Sequence, residues 1–300
     1  MNIRTISTDL DWLDTNRRAC ELLVVLATVC WSLSGVTVLY IEDSTEWQIV
    51  FYRAAAFIAF VLLVLSKRQF MDGIREAGST GCIGGIALGV CFITFIYALV
   101  NATVANAIFL LSAYPIIATV LAAVVLGERV TSRAVLAIVL AFCGVGIMLL
   151  SGWESNRLFG NVMGVCAAAG YAVYSVCLRA GKDRDMTSSL IWAGVFALAV
   201  SGFVLLTQET FAISLRDFLL CMVLGFVAIG LGFYLFTLGS RGLETSELTL
   251  LALLEIVLGV LWVWMFAGQA PTQGAVWGGL LVTGAVVYRS LAVRPTEMSR

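Results

Sequence analysis

The chain has 300 residues, of which 61% are apolar and 12% charged, and its formal net charge is −1. Ordinary soluble domains are about 45–50% apolar and about 25% charged, so a soluble surface is excluded and lipid is the natural solvent. The near-neutral balance leaves no electrostatic footprint for nucleic acid, and the lack of histidine removes the commonest metal ligand and near-neutral acid–base group.

Residues 1–19 carry Asp9, Asp11 and Asp14 beside Arg17 and Arg18, and the apolar run after them is too long for a signal h-region. They are expected to remain as a cytoplasmic N-terminal segment. A helix crossing a bilayer needs about 20 mainly apolar residues. Ten runs qualify: 20–41, 47–66, 80–100, 102–126, 132–151, 159–179, 187–206, 217–238, 245–266 and 272–291. Backbone groups in lipid must be paired within the chain, so each run is predicted to be a helix. The expected fold class is an all-α integral membrane protein with ten transmembrane helices. Cys30, Cys82, Cys91, Cys143, Cys166, Cys177 and Cys221 lie inside these runs, with Cys20 at an edge, and are read as small hydrophobes rather than as a disulfide or metal framework.

Lys and Arg set the orientation. With the N-terminus inside, 15 of the 18 cationic side chains fall on cytoplasmic segments. Two, Arg157 and Arg216, fall outside, and Arg53 lies within the second run. Sliding the chain by 141 residues places Gly127 on Gly268, Thr131 on Thr272, Ala134-Val135 on Ala275-Val276, Leu140 on Leu281 and Val145 on Val286. Five helices per half is an odd number, so the second half enters the bilayer from the opposite side. That predicts an inverted repeat, a plan that places a transport site near the midplane between halves. The expected organisation is a first repeat at 20–152, a second at 153–291 and a cytoplasmic tail at 292–300.

The segment from Ser112-Ala113-Tyr114-Pro115 to Gly127-Glu128-Arg129 resembles the proline-to-Gly-Glu signature of the EamA family, in the drug/metabolite transporter superfamily. Leu254-Glu255-Ile256-Val257-Leu258-Gly259-Val260-Leu261-Trp262-Val263-Trp264, followed by Gly268-Gln269-Ala270-Pro271, resembles the matching segment of that family's second half. Ile256 stands where the family usually has proline, and Gln269 where it usually has glutamate. Ala27-Thr28-Val29-Cys30-Trp31-Ser32 resembles the family's opening tryptophan motif, and Arg53 matches a second-helix arginine. The resemblance covers nearly the whole chain. It implies two EamA-type repeats around a central cavity, and an inner-membrane carrier that moves small metabolites by alternating access, often exporting amino acids or related compounds.

Ionisable groups inside a membrane are costly and functional by default. Two stand out. Glu255, near the centre of the ninth run, is a candidate to carry a coupling proton; the bland reading is a structural ion pair or hydrogen bond. Arg53 is suited to a bidentate contact with a substrate carboxylate; the bland readings are snorkelling to the outer interface and pairing with Glu46. Glu247 lies two turns before Glu255 on the same face and is a second coupling candidate, or simply faces water. By the 141-residue offset Glu255 pairs with Tyr114 and Glu247 with Asn106, which points to a cavity lining. Trp31 and Ser34 in the first run, Tyr171 and Tyr174 in the sixth, and Trp262 of the second-half motif complete the expected lining. Trp47 and Trp153 read as interfacial belt residues. Pro115 lacks an amide proton and is expected to kink its helix near Leu111, either as a hinge or as a packed bend. The spacing of Gly81, Gly85 and Gly89, and of Gly274 and Gly278, suits close helix packing.

Membrane proteolysis wants paired aspartates or histidine ligands within helices, and the runs offer neither in their centres, so no enzyme, metal or cofactor is expected. The expected partners are a small-molecule substrate, membrane lipid and a coupling proton. A channel or a membrane receptor for a small solute is the alternative function.

Overall fold

The computed structural model describes residues 17–64, 67–127, 132–154, 157–181, 186, 188–239, 251–252 and 254–292. Every regular element among them is helical. In chain order these are α1 (Arg17–Leu39), α2 (Glu46–Val64), α3 (Lys67–Asn101), α4 (Val104–Leu111), α5 (Tyr114–Val125), α6 (Ser132–Glu154), α7 (Leu158–Ala180), α8 (Ser188–Thr207), α9 (Leu215–Met222), a π-helical segment π1 (Val223–Leu231), α10 (Gly232–Gly239), α11 (Leu254–Ala267) and α12 (Gln273–Ala292).

Among the described residues, seven stretches are long and apolar enough to cross a bilayer: Arg17–Leu39, Glu46–Val64, Gly78–Asn101, Val104–Val125, Leu158–Ala180, Ser189–Thr207 and Leu215–Gly239. The apolar helices Val135–Met148, Leu254–Ala267 and Gln273–Tyr288 are shorter. The chain is therefore a multi-pass helical membrane protein. The run read as 245–266 is described from Leu254 after residues 251–252, and the predicted Glu247 lies outside the described residues.

One of the predicted runs proves to be broken. Gly78, with φ 56°, interrupts α3 ahead of its membrane-crossing part, Gly78–Asn101, which agrees with the run predicted at 80–100. The run 102–126 is divided at Ser112-Ala113 into α4 and α5, with Pro115 in the first turn of α5. Proline cannot donate to the carbonyl four residues back, which is that of Leu111, the last residue of α4. A proline at the start of a helix costs nothing, because that amide would lack an intrahelical partner anyway.

The two halves interleave. α3 packs against α7 and α8, and α1 against α10 and α11, while α2 meets α8 and π1. α6 lies along α12. This pattern maps onto itself when the halves are exchanged. Small residues make the close approaches possible. A Cβ on Gly85 would come within 2.6 Å of the Ser189 carbonyl, and one on Gly89 within 2.9 Å of that of Ala193. Across the α6–α12 contact, Cβ atoms on Gly144 and Gly278 would meet each other's carbonyl oxygens at 2.6 and 2.7 Å. Exposed apolar side chains such as Leu63, Val124, Leu150 and Leu206 face outward.

The halves also share a local device. α5 is followed by Gly127 at φ 68° and α11 by Gly268 at φ 65°. These positions lie 141 residues apart, the offset of the sequence repeat. A left-handed residue at the end of a helix satisfies its last carbonyls, and only glycine adopts it without a Cβ clash.

Candidate functional site

A cavity of about 160 Å³ lies between the halves. Its polar lining comes from several helices. α1 supplies Trp31 and Ser34, α2 Arg53, α5 Tyr114 and Pro115, α7 Tyr171, and α11 Glu255. The α4–α5 break adds Ser112. Because α5 and α11 follow the same 141-residue offset, Tyr114 and Glu255 enter the cavity as counterparts, and so do Pro115 and Ile256.

Arg53 is only 6% exposed. Its guanidinium donates to the Phe92 carbonyl through one terminal nitrogen at 3.3 Å and stands 5.3 Å from the Phe92 ring centroid. Its Nε has no hydrogen-bond partner among the described residues. Pairing with Glu46 is not what the structure shows, since the Glu46 carboxylate accepts from Asn101 at 3.0 Å. Snorkelling is excluded by the same burial. The Trp31 indole N–H is likewise buried without a partner; its ring packs against Phe233 and Phe236 at centroid distances of 5.3 and 5.1 Å. Neither Arg53 nor Glu255 has an ion-pair partner among the described residues.

The remaining walls are aromatic and aliphatic: Phe92 and Phe95 of α3, Phe233 and Phe236 of α10, and Ile229 of π1. Tyr114 and Tyr171 meet edge to face with centroids 4.4 Å apart. Sequence reasoning missed this wall because an apolar ring in an apolar helix carries no mark of which way it faces. π1 was missed as well, although Gly225 and Gly230 flag a close approach. A Cβ on Gly225 would lie 2.2 Å from the Arg53 carbonyl, and one on Gly230 2.6 Å from the Phe60 ring.

Three expected lining residues stand elsewhere. Asn106, in the first turn of α4, donates to the Asn161 side chain at 3.0 Å, and Asn161 donates to the Met148 carbonyl at 2.9 Å. This chain ties α4 to α7 and α6, so Asn106 spends its amide on helix packing rather than on the cavity. Tyr174 is buried beside Tyr171, where a Cβ on Gly84 would touch its ring. The Trp262 indole donates to Ser32 Oγ at 3.0 Å, joining α11 to α1. Matched depth predicted Asn106, and polar or aromatic character in the sixth run and the second-half motif predicted Tyr174 and Trp262; the direction of each side chain decided otherwise.

Asp217 went unremarked in the sequence, standing at the start of an apolar run where an acidic residue reads as interfacial. It is 1% exposed. Its Oδ2 accepts from the Asp43 amide at 3.1 Å and from Ser44 Oγ at 2.7 Å, and its own amide donates to Ser214 Oγ at 3.2 Å. Among the described residues no group of three His, Cys, Asp or Glu side chains is placed to hold a metal.

A buried cavity at the junction of two helical repeats, walled by rings and holding a few convergent polar groups, is the form of a solute site in a membrane transport protein. The EamA-like transporter family profile matches this chain twice, over residues 18–150 and 158–290, and the chain belongs to that family. It is similar to the pseudopaline exporter CntI of Pseudomonas aeruginosa, at 26% identity over 90% of this chain and 95% of that protein. An uncharacterized transporter of Archaeoglobus fulgidus is 25% identical over 65% of this chain and 70% of its own length. Solute carrier family 35 member F5 of Mus musculus is 28% identical over 48% of this chain and 32% of that protein. A crystal structure covers 93% of this chain and 99% of its own, with TM-score 0.67 and 18% identity, and shares the fold. The protein is a multi-pass membrane transporter, and its named relatives are transporters rather than enzymes.

Proposed function

We propose that this protein is an inner-membrane secondary transporter that exports amino acids or related small zwitterions by alternating access. The reading takes ten membrane-spanning helices in two inverted repeats, at 20–152 and 153–291, with both termini cytoplasmic. Arg53 holds the substrate carboxylate and Glu255 faces its ammonium group or carries a coupling proton. Tyr114, Tyr171, Trp31 and Ser34 complete the contact surface. The observation that carries the proposal is that Arg53 and Glu255 line one cavity while neither has an ion-pair partner among the described residues. Burying an unpaired charge is expensive, and a substrate bearing the opposite charges offsets that cost.

A thermal-shift screen of the purified protein against amino acids and related zwitterions is expected to find a stabilising ligand, since a ligand that binds only the native state raises its stability. In proteoliposomes that ligand is expected to accumulate against its gradient, and an uncoupler to abolish the accumulation. Accumulation that survives the uncoupler removes proton coupling. Equilibration without accumulation favours a channel. Glu255→Gln mimics a protonated carboxyl, so if Glu255 carries the coupling proton the variant is expected to retain fold and binding and to lose the pH dependence of transport; lost binding with the fold retained assigns Glu255 to the ammonium group instead. Wild-type pH dependence in that variant removes Glu255 from the coupling role.

A further inference from the structure

Two connections, one from each half, are bonded to each other at one end of the helices. Residues 40–45 join α1 to α2, and residues 208–214 join α8 to α9. Ser44 Oγ and the Asp43 amide both donate to Asp217 Oδ2, at 2.7 and 3.1 Å. Gln48 Nε2 donates to the Thr210 and Ala212 carbonyls at 2.9 and 2.8 Å, and the Tyr52 hydroxyl donates to the Phe211 carbonyl at 2.6 Å. Thr45 adds a bond to Glu209, and Arg216 an exposed pair with Glu42 at 3.1 Å. An exposed pair is worth little. Bonds of buried Asp217 and Gln48 are worth more, because breaking them leaves polar groups unpaired away from water.

The latch is joined to the cavity through α2 and π1. Gln48 and Tyr52 are one turn apart on one face of α2, and Tyr52 adjoins Arg53. On the other side Asp217 leads through α9 into π1, whose Gly225 abuts the Arg53 carbonyl. Both arms of the latch therefore end against the residue that lines the cavity. The middle of the molecule closes differently, through ring contacts of Trp31 with Phe236 and of Tyr114 with Tyr171.

We infer that the Asp217–Ser44–Gln48–Tyr52 latch is the gate on this face, and that these bonds must break for the cavity to open there. The inference rests on the alternating-access reading above. Occupation of Arg53 acts on α2, the same rigid helix that carries two of the latch donors, so site and gate are mechanically joined.

The test uses the full-length double variant Ser44→Cys/Asp217→Cys with a reporter, Leu111→Cys, in the cavity wall. The latch cysteines are locked by oxidation or left reduced. A membrane-impermeant maleimide is applied from each face in turn, and labelling is read at the residue-111 peptide by mass spectrometry. With the latch reduced, labelling from the latch face is expected to exceed that of the oxidised protein by about tenfold or more, the effect of a shifted two-state population. Tyr52→Phe and Gln48→Ala, each with the reporter alone, are expected to raise latch-face labelling in the same direction over the reporter in an intact latch. Equal labelling of residue 111 in the locked and reduced forms from both faces overturns the gate. That result leaves the transporter reading standing, since solute accumulation tests it separately. A latch that fails to oxidise also counts against the inference, because it means the two connections do not meet in the membrane.

Discussion

The latch and the cavity lie within two helical turns of each other on α2 and treat polar atoms in opposite ways. At the latch, Gln48 spends its amide on the Thr210 and Ala212 carbonyls and Tyr52 its hydroxyl on the Phe211 carbonyl. In the cavity, Arg53 Nε and the Trp31 indole N–H lack partners among the described residues. A buried polar group left unpaired costs stability; the latch leaves an acceptor, Asp217 Oδ1, without a partner among the described residues, whereas the cavity leaves donors, Arg53 Nε and the Trp31 N–H, that are held in reserve for something outside the chain. The contrast separates residues that hold the protein together from residues that work on a solute.

Exchanging Arg53 for lysine is the strongest way to break that contrast. Lysine keeps the charge and loses the planar fork. If Arg53 serves a substrate carboxylate, its hydrogen bonds are worth about 1.5–3 kcal/mol, so ligand affinity is expected to fall roughly tenfold to a hundredfold while the melting temperature holds. Unchanged affinity with a lower melting temperature moves Arg53 to the structural side. The Gly225→Ala variant places a Cβ against the Arg53 carbonyl. Overpacking of this kind costs about 1–3 kcal/mol, and a depressed melting temperature in detergent is the expected readout; an unchanged one means that π1 gives way easily. Gln48→Ala leaves two carbonyls without their donor, so a loss of about 1 kcal/mol is expected, with the affinity of the detergent-solubilised protein kept. A drop in affinity without a drop in stability reverses the division between the two regions.

The fold was legible wherever lipid imposes a rule. Long apolar runs and the repeat from Gly127 to Gly268 are forced by the solvent or by backbone geometry, and two glycines 141 residues apart adopt the same left-handed turn. Arg53, Glu255 and Tyr114 were legible because polar groups in an apolar run are conspicuous, and all three line the cavity. Asn106 and Trp262 were equally conspicuous, yet they bond to Asn161 and Ser32. Polarity announces that a partner is needed without saying which. The aromatic wall was hidden for the opposite reason: Phe92, Phe95, Phe233 and Phe236 are four of 17 phenylalanines in a chain where such rings face lipid as readily as protein. Asp217 was hidden by its place at a helix start, where an acidic side chain is ordinary.

The wide turns of π1 bear on how the length of this chain can vary. An α-helix rotates about 100° per residue, and a π-helix, which closes its bonds five residues on rather than four, rotates less. Phe233 and Phe236 thus reach the cavity at an angular phase that an unbroken α-helix running from Leu215 would not give them. A deletion of one residue between Met222 and Gly232, which in an ordinary helix swings everything beyond it off its face, is here partly absorbed by tightening of the coil. The segment is a local store of slack, and it lets the aromatic wall tolerate a change in residue count that an unbroken α-helix would not.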